Sequence, residues 1–180
     1  MYKIGITGSI GTGKSTIANV FAFFKIPVFN ADKEIKKILN TEIIKKEISN
    51  IWPQVLKNNI IDRLKLRSII FTNKNDKIRL EKLLYPYLEV EKEKFEKVNC
   101  YQRILVYDVP LIYETKSHKN YDLILLANCD IKYQKKRVLK RDRISSSLFD
   151  KINQSQLSFN EKIKFKPKII NTNHSPPEED

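Results

Sequence analysis

The stretch Gly8-Ser9-Ile10-Gly11-Thr12-Gly13-Lys14-Ser15 decides the fold, because it has the complete spacing G-x-x-x-x-G-K-[ST] of a loop that binds phosphate groups. The mostly apolar segment Lys3–Thr7 before it predicts a short strand. Apolar residues after it recur at the spacing of one helix face: Ile17, Val20, Phe21 and Phe24. The sequence therefore predicts a strand, a phosphate-binding loop and a helix in direct succession.

Each residue type in this loop has a chemical reason. Glycines let successive backbone N–H groups turn toward a phosphate, and the helix that begins there adds the positive end of its dipole. Lys14 reaches the β- and γ-phosphates, Ser15 offers a hydroxyl to Mg²⁺, and Thr16 is a helper at the α-phosphate. The predicted nucleotide-binding residues of the loop are Gly8, Ser9, Ile10, Gly11, Thr12, Gly13, Lys14, Ser15 and Thr16.

Three carboxylates that follow apolar runs are candidates for further chemistry. Asp108 comes directly after Ile104–Tyr107, where a carboxylate at the end of a strand can hold Mg²⁺. Asp32 follows the strand candidate Ile26–Phe29 and is expected at the crevice outside the carboxyl ends of a parallel sheet. The third carboxylate is Glu114, which ends the segment Asp108–Glu114. The alternatives to a functional role are an ordinary helix cap for Asp32, a strand-end cap for Asp108 and a surface acid for Glu114.

Arginine is scarce, yet three of the seven arginines surround one predicted helix end: Arg137, Arg141 and Arg143. Arg137 and Arg141 are four residues apart and share a helix face. Such a guanidinium pair suits a lid that closes over a polyphosphate, and a solvated basic helix is the alternative.

The segment Ala127–Ile131 lacks the lysine of a guanine-reading NKxD element, so the nucleotide is expected to be ATP rather than GTP.

Composition limits the class of protein. The 180 residues carry a net charge of +13 and are 41% hydrophobic, which predicts one soluble domain, 1–180. The longest apolar runs reach about a quarter of the ~20 residues that a bilayer span needs, and no signal peptide is visible. Cys100 and Cys129 form neither a disulfide framework nor a zinc motif. We therefore expect a cytoplasmic protein without a membrane partner, monomeric or weakly homo-oligomeric.

The positive charge is unevenly distributed. Residues 131–168 hold 12 cationic residues against three anionic ones, so this segment is expected to meet an anion. A lysine-rich, solvated face is the alternative. Because 27 of the 34 cationic residues are lysines in a chain also rich in Ile and Asn, the charge reads as coding bias and does not predict a nucleic-acid partner.

Strands and helices alternate along the chain, which predicts an α/β fold. The five strand candidates are Lys3–Thr7, Ile26–Phe29, Ile104–Tyr107, Leu123–Leu126 and Lys168–Ile170. Residues 33–98 read as helical, with interruptions at Trp52-Pro53 and at 73–75 and a kink or break at Pro86. Further helices are expected over Lys132–Arg141 and Leu148–Gln156, joined by a loop at Ile144–Ser147.

These motifs, in this order over residues 2–171, resemble dephospho-CoA kinase, the family of the last enzyme of coenzyme A synthesis. The matching positions are Gly8–Thr16, Asn30-Ala31-Asp32, Arg63, Arg67, Phe71, Leu83–Pro86, Pro110–Glu114, Arg137, Arg141-Asp142, Gln156 and Glu161-Lys162. Asn30 stands where the family pattern has Asp, and Tyr85 where it has His.

The resemblance implies an α/β P-loop NTPase fold, a three-layer sandwich with a five-stranded parallel sheet. It also implies a helical substrate-binding insertion of about residues 36–101 and a lid of about 137–156. The implied reaction moves the γ-phosphoryl group of ATP, with Mg²⁺, to the 3′-hydroxyl of dephospho-CoA. The implied catalytic residues are Asp32 as base, Lys14 and Arg141. Arg137 and Arg141 would also bind the nucleotide, and Ser15 and Asp108 would hold Mg²⁺. The implied substrate-binding residues are Asp32, Arg63, Arg67, Pro110, Leu111 and Glu114.

Two other functions remain open at this stage. Another P-loop nucleoside or small-metabolite kinase would share the loop and the lid but phosphorylate a different hydroxyl. A catalytically weakened protein that binds nucleotide or nucleic acid would lack phosphoryl transfer altogether.

Overall fold

The computed structural model describes residues 1–142 and 144–173, and within them the chain forms two compact units. The first unit contains Met1–Asn30 and the described residues from Glu96 onward, and the second contains Ala31–Phe95. In chain order the strands are β1 (Tyr2–Thr7), β2 (Val28–Asn30), β3 (Leu56–Lys57), β4 (Ile60–Ile61), β5 (Ile104–Asp108), β6 (Leu123–Asn128) and β7 (Lys168–Asn171). The α-helices are α1 (Lys14–Phe23), α2 (Ala31–Leu39), α3 (Glu42–Ile51), α4 (Arg63–Thr72), α5 (Lys74–Val98), α6 (Ile131–Asp142), α7 (Ser146–Gln154) and α8 (Phe159–Ile163).

A five-stranded sheet flanked by helices forms the first unit, in the strand order β2-β5-β1-β6-β7. Every pairing in this sheet is parallel, so the carboxyl ends of all five strands lie at one edge. The register places Asp108 opposite both Ile6 of β1 and Asn30 of β2. The predicted α/β fold with a five-stranded parallel sheet is confirmed. In such folds ligands bind outside the carboxyl ends of the strands.

Apolar runs form the central strands because both faces of the sheet are covered. Leu105, Val106 and Tyr107 of β5 are completely buried. Residues of β1 and β6 pack with Ile17 and Ala18 of α1 in one hydrophobic cluster. Burial of these side chains holds the helix that follows the phosphate loop against the sheet.

The junction of β2 and α2 differs from the expected one. β2 begins at Val28 rather than Ile26, and the carbonyl of Pro27 accepts a hydrogen bond from the Val106 N–H. No loop separates this strand from the next helix, because β2 ends at Asn30 and α2 begins at Ala31. Asp32 therefore lies exposed in the first turn of α2, where a carboxylate interacts favourably with the helix dipole, and the alternative that Asp32 caps the helix is wrong.

Helices and one small hairpin form the second unit. Its core contains Ile44 and Ile48 of α3 together with Trp52, whose indole N–H donates to Asp76 Oδ1 at 3.2 Å. The interruptions predicted near Trp52 and Asn73 are confirmed, because α3 ends at Ile51 and α4 ends at Thr72. Of the kink or break predicted at Pro86, the break is wrong, because α5 continues through that residue.

The hairpin of β3 and β4 and the helix α8 were not expected from the sequence. The hairpin of β3 and β4 turns at Asn58 and Asn59, which both have positive φ values, as a two-residue hairpin turn requires. The loop expected through Ser147 is shorter, because Ser145 caps α7 by accepting a hydrogen bond from the Leu148 N–H. In the described residues, no helix is both long enough and apolar enough to cross a bilayer.

The core of the second unit yields a stability prediction with a matched control. Ile44 is completely buried, whereas its neighbour Ile43 is 63% exposed. We expect Ile44→Ala to lower the free energy of unfolding by about 2–5 kcal/mol, and Ile43→Ala to change it by less than about 0.5 kcal/mol. Urea denaturation followed by the fluorescence of Trp52, the single tryptophan, measures both changes. Equal losses in the two variants would contradict the assigned core.

Candidate functional site

The phosphate loop joins β1 to α1 and requires glycine at positions 11 and 13. Gly11 and Gly13 have φ values of 76° and 80°, in the left-handed region that favours glycine. A Cβ at Gly11 would also lie 2.6 Å from Val138 Cγ2 and 2.7 Å from the Gln134 carbonyl oxygen. The loop therefore packs directly against α6, with no room for a side chain at this position.

Thr172, which follows β7, holds the loop from the other side. Its hydroxyl donates to the carbonyl of Thr12 at 2.6 Å, and its N–H donates to the carbonyl of Asn128 at 2.9 Å. Arg137 Nη2 donates to the Thr172 carbonyl at 2.7 Å. The described C-terminal residues and α6 are thus joined to the loop by buried polar contacts.

Lys14 is the first residue of α1, and its side chain reaches back to the phosphate loop. Its Nζ atom is 3.2 Å from the Gly8 carbonyl oxygen and 3.5 Å from the Ser9 carbonyl oxygen. The ammonium is half-buried, with its charge held at the mouth of the loop, where an anionic ligand would replace these weaker carbonyl contacts. Ser15 and Thr16 follow in the first turn of α1, so their hydroxyls lie at the positive end of the helix dipole.

Asp108 is the last residue of β5 and is only 6% exposed. Its Oδ2 atom accepts a hydrogen bond from Asn30 Nδ2 at 2.9 Å. An amide at position 30 donates to this carboxylate, whereas a second carboxylate there would repel it. Asn30, which departs from the family pattern, therefore leaves the negative charge of Asp108 at the carboxyl edge of the sheet intact.

Glu114 forms an ion pair with a buried lysine, so the alternative that it is a surface acid is wrong. Its Oε1 atom lies 3.2 Å from Lys162 Nζ and accepts a hydrogen bond from the Leu157 N–H at 3.0 Å. Lys162 is completely buried, and its Nζ also lies 3.4 Å from Ser9 Oγ. Burial lowers the pKa of the Lys162 ammonium, an effect that the Glu114 carboxylate opposes.

The loop also receives a side chain from the segment between α7 and α8. Gln156 Oε1 accepts a hydrogen bond from the Ile10 N–H at 3.0 Å. The segment continues into α8 through a capping box, in which Ser158 and Glu161 bond to each other's backbone N–H groups. This capping box fixes the start of the helix that carries Lys162.

The remaining predicted site residues are placed as follows. Arg141 Nε donates to Asp142 Oδ1 at 2.9 Å on the exposed side of α6. The Pro110 carbonyl accepts a hydrogen bond from Thr7 Oγ1 at 2.8 Å, and half-buried Leu111 follows it. Asp32, Arg63 and Arg67 belong to the second unit, where Arg63 Nη2 lies 3.4 Å from Asn40 Oδ1. Arg143 lies outside the described residues.

Sequence reasoning missed two residues at this site. No sequence-based prediction includes Thr172, and Lys162 enters only as a position that matches the family. The Ser158-x-x-Glu161 pattern signals a helix start and could have placed Lys162 on a helix. No local signal marks Thr172, because its partner Thr12 is 160 positions away in the sequence.

Comparisons with known proteins agree on one family. The family model described as dephospho-CoA kinase matches residues 2–178. A dephospho-CoA kinase of Fusobacterium nucleatum is 37% identical over 177 residues, covering 94% of this chain and 89% of that protein. One of Bartonella henselae is 35% identical over 175 residues, covering 96% and 89%. The solved structure of a dephospho-CoA kinase from Campylobacter jejuni superposes with a TM-score of 0.62 at 26% identity, covering 96% and 89%.

The contact between Thr172 and Thr12 leads to a prediction about the loop. Thr172→Val keeps the shape of the side chain but leaves the buried Thr12 carbonyl without its donor, so we expect a loss of about 1–3 kcal/mol in the free energy of unfolding. Thr172→Ser, the matched control, keeps the hydroxyl. Urea denaturation and ATP affinity measured by calorimetry should both show the larger loss in the valine variant. Equal losses in both variants would assign the effect to the methyl group instead.

Proposed function

The chain belongs to the dephospho-CoA kinase family, and from this membership we propose that it transfers the γ-phosphoryl group of ATP to the 3′-hydroxyl of dephospho-CoA. ATP as the phosphoryl donor follows from the kinase family. The observation that carries the proposal is the phosphate loop, in which left-handed glycines and the Lys14 ammonium form a cradle for a polyphosphate.

The chemistry is a displacement at phosphorus. A bond forms between the acceptor oxygen and the γ-phosphorus, and the bond from that phosphorus to the bridging oxygen breaks and releases ADP. Negative charge grows on the transferring group and on the leaving oxygen, and we propose that Lys14 and Arg141 stabilise it. Arg137 contributes from the same helix while its Thr172 contact keeps the guanidinium beside the loop.

Mg²⁺ fits the donor set that we propose for it. The described residues contain no group of three or more His, Cys, Asp or Glu side chains that could hold a metal. Kinases bind Mg²⁺ mainly through phosphate oxygens and water, with few protein ligands, so the Ser15 hydroxyl and the Asp108 carboxylate are a sufficient pair. When bound, the ion neutralises charge on the β- and γ-phosphates.

We propose Asp32 as the general base. It is exposed, and chain continuity keeps it two residues beyond Asn30, whose amide bonds to Asp108. A carboxylate there would orient the acceptor hydroxyl and take its proton as the new bond forms. The proposed ligands for the anionic groups of dephospho-CoA are Arg63 and Arg67, with further substrate contacts from Pro110, Leu111 and Glu114.

Turnover with defined acceptors tests the proposed function. We expect ADP formation to be fastest with dephospho-CoA, slow with nucleosides or sugars and slowest without an acceptor, and the product mass to match a 3′-phosphate. Lys14→Ala should reduce this turnover by orders of magnitude in a folded protein, because the loop loses its mobile cation. Lys97→Ala, which removes an exposed lysine of α5, is the matched control. Faster turnover with another acceptor would replace the proposed substrate.

The role of Asp32 yields a second prediction. Asp32→Asn should cut turnover by about 10²-fold or more while ATP affinity and melting temperature stay close to those of the wild type, because the amide cannot accept the proton. Glu34→Gln is the matched control, because it removes one negative charge from the same helical turn. Steady-state kinetics and calorimetry on both variants decide the matter. Unchanged turnover of Asp32→Asn would rule out the base role.

A further inference from the structure

Part of the phosphate loop is backed by a cavity rather than by packed side chains. The cavity has a volume of about 420 Å³, and Ser9, Thr12, Gln156 and Lys162 are among the residues that line it. Apolar residues such as Leu126 and Leu157 line it as well. The contacts that cross to residues 9 and 10 are polar: Lys162 Nζ to Ser9 Oγ at 3.4 Å and the Ile10 N–H to Gln156 Oε1 at 3.0 Å.

Lys162 is held in this place from several directions. The capping box orders the first turn of α8, and Phe165 just beyond the helix stacks on Tyr113 with ring centroids 4.6 Å apart. Tyr113 precedes Glu114, so the same loop supplies both the stacking ring and the carboxylate partner of Lys162. This arrangement fixes the ammonium in position, whereas most lysine side chains sweep through solvent.

The charged groups that act on Lys162 come from three elements. Glu114 lies on the loop after β5, Glu161 on α8 itself, and Lys14 on α1. The two carboxylates favour the protonated ammonium, and burial and the Lys14 cation oppose it. Lys162 and Lys14 thus place two cations beside the same loop: Lys162 Nζ lies near Ser9 Oγ, and Lys14 Nζ lies near the Gly8 carbonyl.

We propose that Lys162, kept charged by Glu114, is a positioning residue of the phosphate loop: it holds Ser9 from the cavity side and adds positive potential to the bound polyphosphate. Lys162 contacts the loop and not the substrate. It therefore acts on phosphoryl transfer through the geometry of the loop and through the electrostatic potential at the bound polyphosphate. A small misplacement of the loop would misalign the γ-phosphoryl group with the attacking oxygen. The inference rests on the proposed kinase activity.

A double variant separates this role from a merely structural one. Lys162→Met leaves Glu114 as an uncompensated buried charge, so the single variant should melt at a lower temperature. In Lys162→Met combined with Glu114→Gln, no unpaired charge remains, and the melting temperature should return toward the wild-type value. We expect kcat/KM for ATP in the double variant to stay roughly 10- to 100-fold below that of the Glu114→Gln single variant, because the positioning cation is still absent.

Lys164→Met is the matched control, since it removes an exposed lysine two residues along the chain. It should leave kcat/KM unchanged. Recovery of both stability and kcat/KM in the double variant would overturn the positioning role and leave a structural ion pair. A wild-type protein that binds ATP but does not phosphorylate dephospho-CoA would instead contradict the proposed function. ATP affinity measured by calorimetry would then still test Lys162 in the same variants.

A pH profile gives a readout that a structural ion pair would not move. Glu114→Gln removes the carboxylate that opposes the burial effect, so the pKa of Lys162 falls further and the ammonium loses its proton at a lower pH. We therefore expect the alkaline limb of the kcat/KM profile for ATP to move to lower pH in Glu114→Gln. It should move less in Glu161→Gln, because the Glu161 carboxylate acts more weakly on the Lys162 ammonium than Glu114 does. An unshifted limb in Glu114→Gln would overturn the proposal.

Discussion

A loop that turns its N–H groups toward a phosphate must point carbonyl groups the other way, and each of those carbonyls needs a donor. This requirement explains many contacts of the first unit. Lys14 Nζ donates to the Gly8 carbonyl, the Thr12 hydroxyl to the Ser9 carbonyl, and the Thr172 hydroxyl to the Thr12 carbonyl. Two of these donors belong to the loop itself, and the third comes from residue 172. The binding site therefore depends on a distant residue as well as on its motif.

Ion pairs of the two units differ in how far solvent reaches them. In the second unit, lysines of α5 form short-range pairs such as Lys92–Glu89 and Lys94–Glu91, which contribute little to stability because solvent screens them. The buried pair of Lys162 and Glu114 is different, since removing one partner leaves a charge that water cannot reach. The excess of positive charge in residues 131–168 thus includes one cation inside the unit and others, such as Lys164, in solvent. A count of charges does not distinguish them.

Local patterns predicted the parts of the structure that local physics decides. The phosphate loop, the strand before it and the helix after it follow from the spacing of glycines and apolar residues within residues 3–24. The buried strands follow from short apolar runs such as Leu123–Leu126. The predictions failed where small turns or contacts between distant residues determine the structure. Asn58 and Asn59 form a hairpin turn that the helical pattern masked, and α5 continues through Pro86 despite the lost N–H donor. Thr172 and Lys162 gain their roles only when residues more than 150 positions apart meet.

The order of strands in the sheet has a consequence for synthesis of the protein. β1 is made before the other strands of this sheet, yet it lies in the centre and pairs with β5 and β6, which are made much later. Until residue 104 has been made, the nascent chain carries an unpaired apolar strand of the kind that promotes aggregation. The loop also receives the Thr172 hydroxyl only after β7 has been made, because Thr172 directly follows that strand. We therefore expect nucleotide to stabilise chains in which β7 has docked on the sheet.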